Sequence, residues 1–232
     1  MNTMTYQPPS KVLCPLEDAL KWSPSLLLIQ VKADGVFQTR SLTVGGQSFI
    51  IAGEFVTRKS GGFLAPSHEA ALVQYPGGVF FAFDLLCIGE VDLKTMWLEA
   101  RWEKLQSIAP HFPPGWFLIE HAARDDKNFV ERQWALGAEG VVAKPWDLPY
   151  GRMLACKRLQ TYHCVVTSMG GTQSVGIADS NGLQDRGRVT LRGGKVDKVR
   201  VGSVIKVEAM GQTGSGKLRE PRCTEENWLI KF

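Results

Sequence analysis

The 232-residue chain is 44% hydrophobic and 22% charged, the balance of a folded globular protein, and it has room for one large domain or two modest ones. It has no run near the ~20 apolar residues of a membrane span, its start (MNTMTYQPPSK) lacks the layout of a signal peptide, and its five cysteines and four histidines show no metal-ligand spacing, so a reduced cytoplasmic protein without structural zinc is expected. The net charge of +4 lies wholly beyond residue 160, where 11 Lys+Arg face 7 Asp+Glu against 16 of each before it, and a basic tail segment points to a polyanionic partner.

Cys14 to Leu20 reads as a short helix, with Pro15 near its first turn and Glu17 and Asp18 close behind. Leu26 to Val31 is an apolar strand that runs into Lys32-Ala33-Asp34-Gly35. Two strands follow around the Gly45-Gly46 turn, the second ending at Ile50-Ile51-Ala52-Gly53-Glu54. Val79 to Cys87 is a buried strand. Leu98 to Ile108 has helical spacing, with Leu98, Trp102, Leu105 and Ile108 on one face, and Trp97, Trp102 and Trp134 are expected in the core. Phe129 to Leu136 predicts a second helix stopped by Gly137, and Gly140 to Lys144 a further strand. Beyond Lys157-Arg158 only short β segments remain, at Val165–Thr167, Gly187–Leu191 and Val204–Glu208, separated by glycine-rich turns. About 70 residues of this texture suit a small closed barrel. The expected class is therefore α+β, with domains at 1–160 and 161–232.

Charged residues recur at the ends of these apolar strands: Lys32, Glu54, Asp84, Glu139, Lys144 and Lys157. Converging on one pocket, they would suit attack on a nucleotide α-phosphate. A lysine amine is nucleophilic only without its proton, and neighbouring cations such as Lys144 and Lys157 favour that form while holding phosphate oxygens. Glu54 and Glu139 suit a Mg²⁺ ion bridging protein and phosphates. Phe81 or Phe83 offers a face for a base. Gly211 to Lys217 lacks the Ser/Thr of a phosphate loop, since Leu218 stands there, and reads as a barrel turn.

In order along the chain these elements resemble a known pattern. Lys32-Ala33-Asp34-Gly35 is similar to the K-x-D-G nucleophile motif of the covalent nucleotidyltransferases, the superfamily of DNA ligases, RNA ligases and mRNA capping enzymes. Ala52-Gly53-Glu54-Phe55, Phe80 to Leu86 with its Phe-Asp-Leu-Leu, Glu139 to Lys144, and Gly214 to Pro221 follow in the order and form of the ATP-dependent DNA ligases. That resemblance implies a nucleotidyltransferase (adenylation) domain of antiparallel sheets flanked by helices, followed by an OB-fold barrel. It implies ATP as donor, AMP carried on Lys32, Mg²⁺ (with Mn²⁺ able to replace it), and nicked duplex DNA as the partner of a monomeric enzyme in repair, replication or recombination. It also implies Gln30 on the adenine, Phe83 stacked on it, Asp34 and Gly35 in the nucleotide motif, and Glu54 at the ribose or metal. Glu139 would hold the metal, and Lys144 and Lys157 the α-phosphate.

Three departures accompany the resemblance. Phe37 stands where the family often has arginine, with Arg40 on the same strand as its substitute. Ala155-Cys156-Lys157 carries one lysine of the family's K-x-K pair. The R-x-D-K element expected after Arg219 is absent, with Lys231 near the terminus. Grip on DNA is expected from Arg186, Arg188, Arg192, Lys195, Lys198 and Arg200, through phosphates and with little sequence preference. An RNA ligase, a guanylyltransferase, or a non-catalytic protein that holds nucleic-acid ends remain the rival readings.

Overall fold

The computed structural model describes residues 6–58, 65–181, 184–191, 198–213 and 215–223. Two units emerge from the packing, the first ending at Arg158 and the second beginning at Leu159. Each has its own sheet system.

In the first unit one sheet runs in the order β1 (Ser10–Leu13), β9 (Arg152–Lys157), β8 (Gly140–Pro145), β2 (Leu27–Val31). The β2–β8 and β8–β9 pairs are antiparallel and β1 joins β9 in parallel. Side chains alternate across a strand, so each position falls on one face or the other. Ile29, Val31, Val141, Ala143 and Cys156 pack on one side with Ala19 of α1 (Leu16–Ala19) and with Phe129 and Val130 of α4 (Phe129–Ala135). The opposite side carries Gln30 across from Val142, and Lys144 across from Leu28. A continuous apolar stretch in sequence thus hides a two-faced strand.

The second sheet of this unit runs β3 (Val36–Val44), β4 (Gln47–Val56), β5 (Val79–Ile88), β6 (Val91–Asp92), with β7 (Trp116–Leu118) parallel against β5. The β3–β4 hairpin turns at Gly45 and Gly46, whose φ of 57° and 81° lie in the left-handed region that glycine enters at no steric cost. Helix α3 (Leu98–Ile108) lays Leu98, Trp102, Leu105 and Ile108 into the core with Phe80, Leu85 and Leu86, as its periodicity predicts. Trp97 is a correction. It caps α3 from outside the apolar stripe and is 64% exposed, while Trp102 is buried and Trp134 half-buried. Helix α2 (Pro66–Gln74) escaped the sequence reading; it buries His68, Ala71 and Leu72.

The second unit holds one antiparallel sheet in the order β12 (Asp185–Thr190), β11 (Ser174–Ala178), β10 (Gln160–Met169), β13 (Val204–Ala209). Val166, Ile177, Val189, Ile205 and Val207 form its core, and isolated bridges tie Leu191 to Cys223 and Glu208 to Arg222. Among the described residues this sheet does not close into a barrel. The chain is of the mixed α+β class, mostly sheet with few helices.

All five cysteines are free thiols, and burial pushes Cys156 and Cys164 up to about 11 and Cys223 to about 12, so their reactive thiolates are suppressed at neutral pH. Among the described residues no helix is long and apolar enough to cross a membrane.

Candidate active site

The polar face of the first sheet and residues of β4 and β5 of the second enclose a pocket. Gln30, Lys32, Val142, Lys144, Met153 and Lys11 line it from the first sheet, and Glu54 and Phe83 from the second. All lie in the first unit.

Lys32 leaves β2 with its backbone N–H donating to Gly140 O at 2.9 Å, which puts the lysine beside the start of β8. Its amine meets Glu139 Oε1 at 2.6 Å and donates weakly to Ala33 O at 3.4 Å. Lys157, opposite Gly140 in the β8–β9 register, brings its amine to 3.9 Å from the same Glu139 oxygen. The nearest charge to the Lys32 amine is therefore negative, where the sequence reading placed cations. Burial lifts the Glu139 carboxyl above its ordinary range, opposed by Lys32 and Lys157, and its Oε2 is buried without a hydrogen-bond partner among the described residues.

Glu54, on β4, accepts the Gly35 N–H at 3.1 Å on Oε2 and faces the Lys11 amine at 3.8 Å on Oε1. Burial raises its pKa, with Lys32 and Lys11 pulling it back. The negative charge of Asp34 raises both Glu54 and Glu139, so the three carboxylates share one neighbourhood. The motif glycines have steric reasons. A Cβ on Gly35 would come within 2.6 Å of Phe55 O, and one on Gly140 within 2.1 Å of Cys156 O. Larger residues at either position would push apart the backbones that set Lys32 against Glu54 and Glu139.

The deep end of the pocket combines an aromatic face with hydrogen-bonding groups. Lys144 lies 4.4 Å over the Phe83 ring and donates to Phe83 O at 3.1 Å, a bond shared with Gln30 Nε2 at 3.4 Å. Gln30 Oε1 is buried without a partner among the described residues, an acceptor available to a ligand's N–H. Desolvation brings Lys144 down to about 8. Of the two phenylalanines considered, Phe83 lines the pocket, whereas Phe81 stacks on buried His68 with centroids 4.1 Å apart.

Not every expected residue joins. Arg40 points to the other face of β3: its guanidinium takes Gln38 Oε1 at 3.0 and 3.2 Å and lies 4.7 Å over both Phe55 and Phe80. Phe37 and Arg40 are three apart on a strand of period two, so one cannot replace the other on the same face. Phe37 itself lies opposite Glu54 and 6.2 Å from the Phe83 ring. Asp84 is turned away too, held by Arg101 of α3 through Nε at 2.8 Å and Nη2 at 3.1 Å. Lys11 is the pocket residue that the sequence reading missed. It sits on a four-residue edge strand without alternation, and only the parallel pairing of β1 with β9 brings it in.

Among the described residues, no three His, Cys, Asp or Glu are grouped to hold a metal ion by themselves. Magnesium is commonly held by one or two carboxylates, with substrate phosphates and water completing its shell. The unpartnered Glu139 Oε2 and the nearby Glu54 fit a cation that arrives with a nucleotide.

In the second unit, Arg186 is half-buried and donates to Gln212 Oε1 at 2.7 Å and Gly216 O at 3.0 Å, bracing a loop. Arg188 is exposed and donates to Ser174 through its side-chain and backbone oxygens. Lys198 and Arg200 are exposed, while Arg192, Lys195 and Lys231 lie outside the described residues.

A search of solved structures matches a Lig E DNA ligase with a TM-score of 0.69 at 12% identity, covering 98% of this chain and 100% of that one. The ligase domain of M. tuberculosis LigD matches at a TM-score of 0.55 and 18% identity, over 96% and 94% of the two chains. The chain has the fold of the DNA ligases. The resemblance read from its motifs is borne out by a sequence relative, the DNA ligase of Saccharolobus solfataricus, 34% identical over 118 residues. That match covers 44% of this chain and 19% of the relative, so the chain spans about a fifth of that ligase's length. No protein-family model matches.

Proposed function

We propose that this chain is an ATP-dependent DNA ligase that carries AMP on Lys32 and seals nicks in duplex DNA. The observation that carries the reading is the amine of Lys32 at 2.6 Å from the buried Glu139 carboxylate, inside a pocket that offers an aromatic face at Phe83 and further amines at Lys144 and Lys11.

Adenine lies on Phe83, and the Gln30 side chain reads its polar edge. Lys144 and Lys157 hold the α-phosphate oxygens, so the charge that develops there is neutralised by groups already in place. Lys32 must lose a proton before it attacks phosphorus, and Glu139 Oε1 is the acceptor at hand; burial, which raises this carboxyl, suits it to hold that proton. Asp34 and Gly35 fix the turn, with the Gly35 N–H holding Glu54 in place. Mg²⁺, or Mn²⁺ in its stead, would be held by Glu139 and Glu54 and would supply further neutralisation of the phosphates. Adenylate then passes from Lys32 to the 5′-phosphate at a nick, and the neighbouring 3′-hydroxyl displaces AMP. Positioning and charge neutralisation do most of the work in such phosphoryl transfers.

In this reading residues 1–160 are the adenylation domain and 161–232 an OB-fold domain. Arg188, Lys198, Arg200, Arg192 and Lys195 contact DNA phosphates, and Arg186 contributes through the loop it braces. The protein acts as a cytoplasmic monomer in DNA repair, replication or recombination. The departures at Phe37 and Ala155 leave fewer cations around the α-phosphate than the family pattern has.

The test is gel labelling with α-³²P ATP and Mg²⁺, followed by a chase with nicked duplex DNA or nicked RNA. Wild type takes up label and releases it to nicked DNA, while Lys32→Ala takes up none. Label on Lys32→Ala, or none on wild type, overturns the reading; label chased only into RNA reassigns the substrate.

A further inference from the structure

We propose that Lys11 holds the outgoing pyrophosphate when Lys32 takes up adenylate, an inference that rests on the ligase reading above. Lys11 pairs with Met153 in the parallel β1–β9 register, and neighbours in register share a face, so its side chain falls on the Met153 side of the sheet, which lines the pocket. Its amine stands 3.8 Å from Glu54 Oε1, within ion-pair range but beyond a hydrogen bond. A rearrangement of one side chain hands this charge from Glu54 to an arriving anion.

Depth decides which anion. The Lys32 side chain is 9% exposed and that of Lys157 14%, whereas that of Lys11 is 35% exposed. The innermost phosphorus belongs among the sheltered amines, beside Lys32, the one that attacks it. The outer phosphates must end in solvent, and Lys11 is the most exposed of these amines. In the loading step the Lys32 nitrogen forms its bond to the α-phosphorus as the bond from that phosphorus to the bridging oxygen breaks. The electron pair leaves with pyrophosphate, which carries off the second amine proton, the first having passed to Glu139. Negative charge grows on the leaving group, where a fixed ammonium lowers its cost.

The experiment separates the two steps. Lys11→Gln, Lys11→Met and Lys11→Arg are compared with wild type in single-turnover uptake of label from ATP, and in sealing of a nicked duplex that already bears 5′-adenylate, without ATP. Lys11→Gln and Lys11→Met slow uptake about tenfold more than they slow sealing, the scale of one charge-assisted contact, and Lys11→Arg restores most of the loss. The pyrophosphate concentration that strips adenylate from Lys32 rises by a similar factor in the neutral variants. Equal slowing of both steps, no slowing of either, or an unchanged pyrophosphate requirement overturns the role of Lys11. A wild type that neither loads nor seals overturns the ligase reading itself.

Discussion

Single residues in this site owe their roles to strand parity. Gln30, Val142 and Lys144 share one face of a sheet whose other face packs an apolar cluster, and Phe37 and Arg40 are separated because three steps along a strand change sides. His68 follows a different rule. It is 1% exposed, stacked on Phe81, and neither ring nitrogen has a hydrogen-bond partner among the described residues, so burial pushes it down to about 4. Above its unfolded value near 6.5 it is neutral in both states and costs nothing. As pH falls below 6.5 the unfolded chain takes a proton that the folded chain refuses until about 4, so stability is lost across that window. In urea unfolding at pH 7.5 and pH 4.5, wild type should lose on the order of 2 kcal/mol more than His68→Leu. Parallel losses in the two proteins would show that the ring is not kept neutral by its surroundings.

Elements assemble here through pairings of very different legibility. Leu98–Ile108 and Val79–Ile88 follow from local pattern, one by helical period and the other by an apolar run interrupted only by Asp84. Nothing local announces that Ser10–Leu13 pairs with Arg152–Ala155, because the signal is register across some 140 residues rather than composition. Asp84 illustrates the same limit. Its place in Phe-Asp-Leu-Leu suggests a pocket residue, yet its carboxylate is 1% exposed and clasps Arg101, at 2% exposure, through two bonds that tie α3 to β5. Arg101 also donates to Met96 O, which closes the approach to the helix. Removing one member of a buried pair strands the other charge, a loss of about 3–5 kcal/mol. Arg101→Met and Asp84→Asn should each fall in or near that range by urea denaturation, and the double variant should cost clearly less than their sum. Additive losses would mean that the two side chains do not act as a pair.

At the scale of the molecule, charge is divided more unevenly than its sum suggests. The +4 excess belongs to the last 72 residues, and a polyanion bound there releases counterions in proportion to the phosphates neutralised. Geometry sorts the basic residues of that segment. The Arg186 guanidinium is committed to Gln212 and Gly216, so its loss loosens a loop, whereas Lys198 is exposed and its charge is available to a phosphate. Binding of a nicked duplex, followed by fluorescence anisotropy from 50 to 300 mM salt, should weaken linearly on a log–log plot, by about 0.9 in slope for each phosphate contacted. Lys198→Gln should flatten that slope by about one contact and leave the melting temperature unchanged. Arg186→Gln should lower the melting temperature and alter binding mainly through that loss. If the slope of Lys198→Gln matches wild type, the positive excess serves some other purpose than holding DNA.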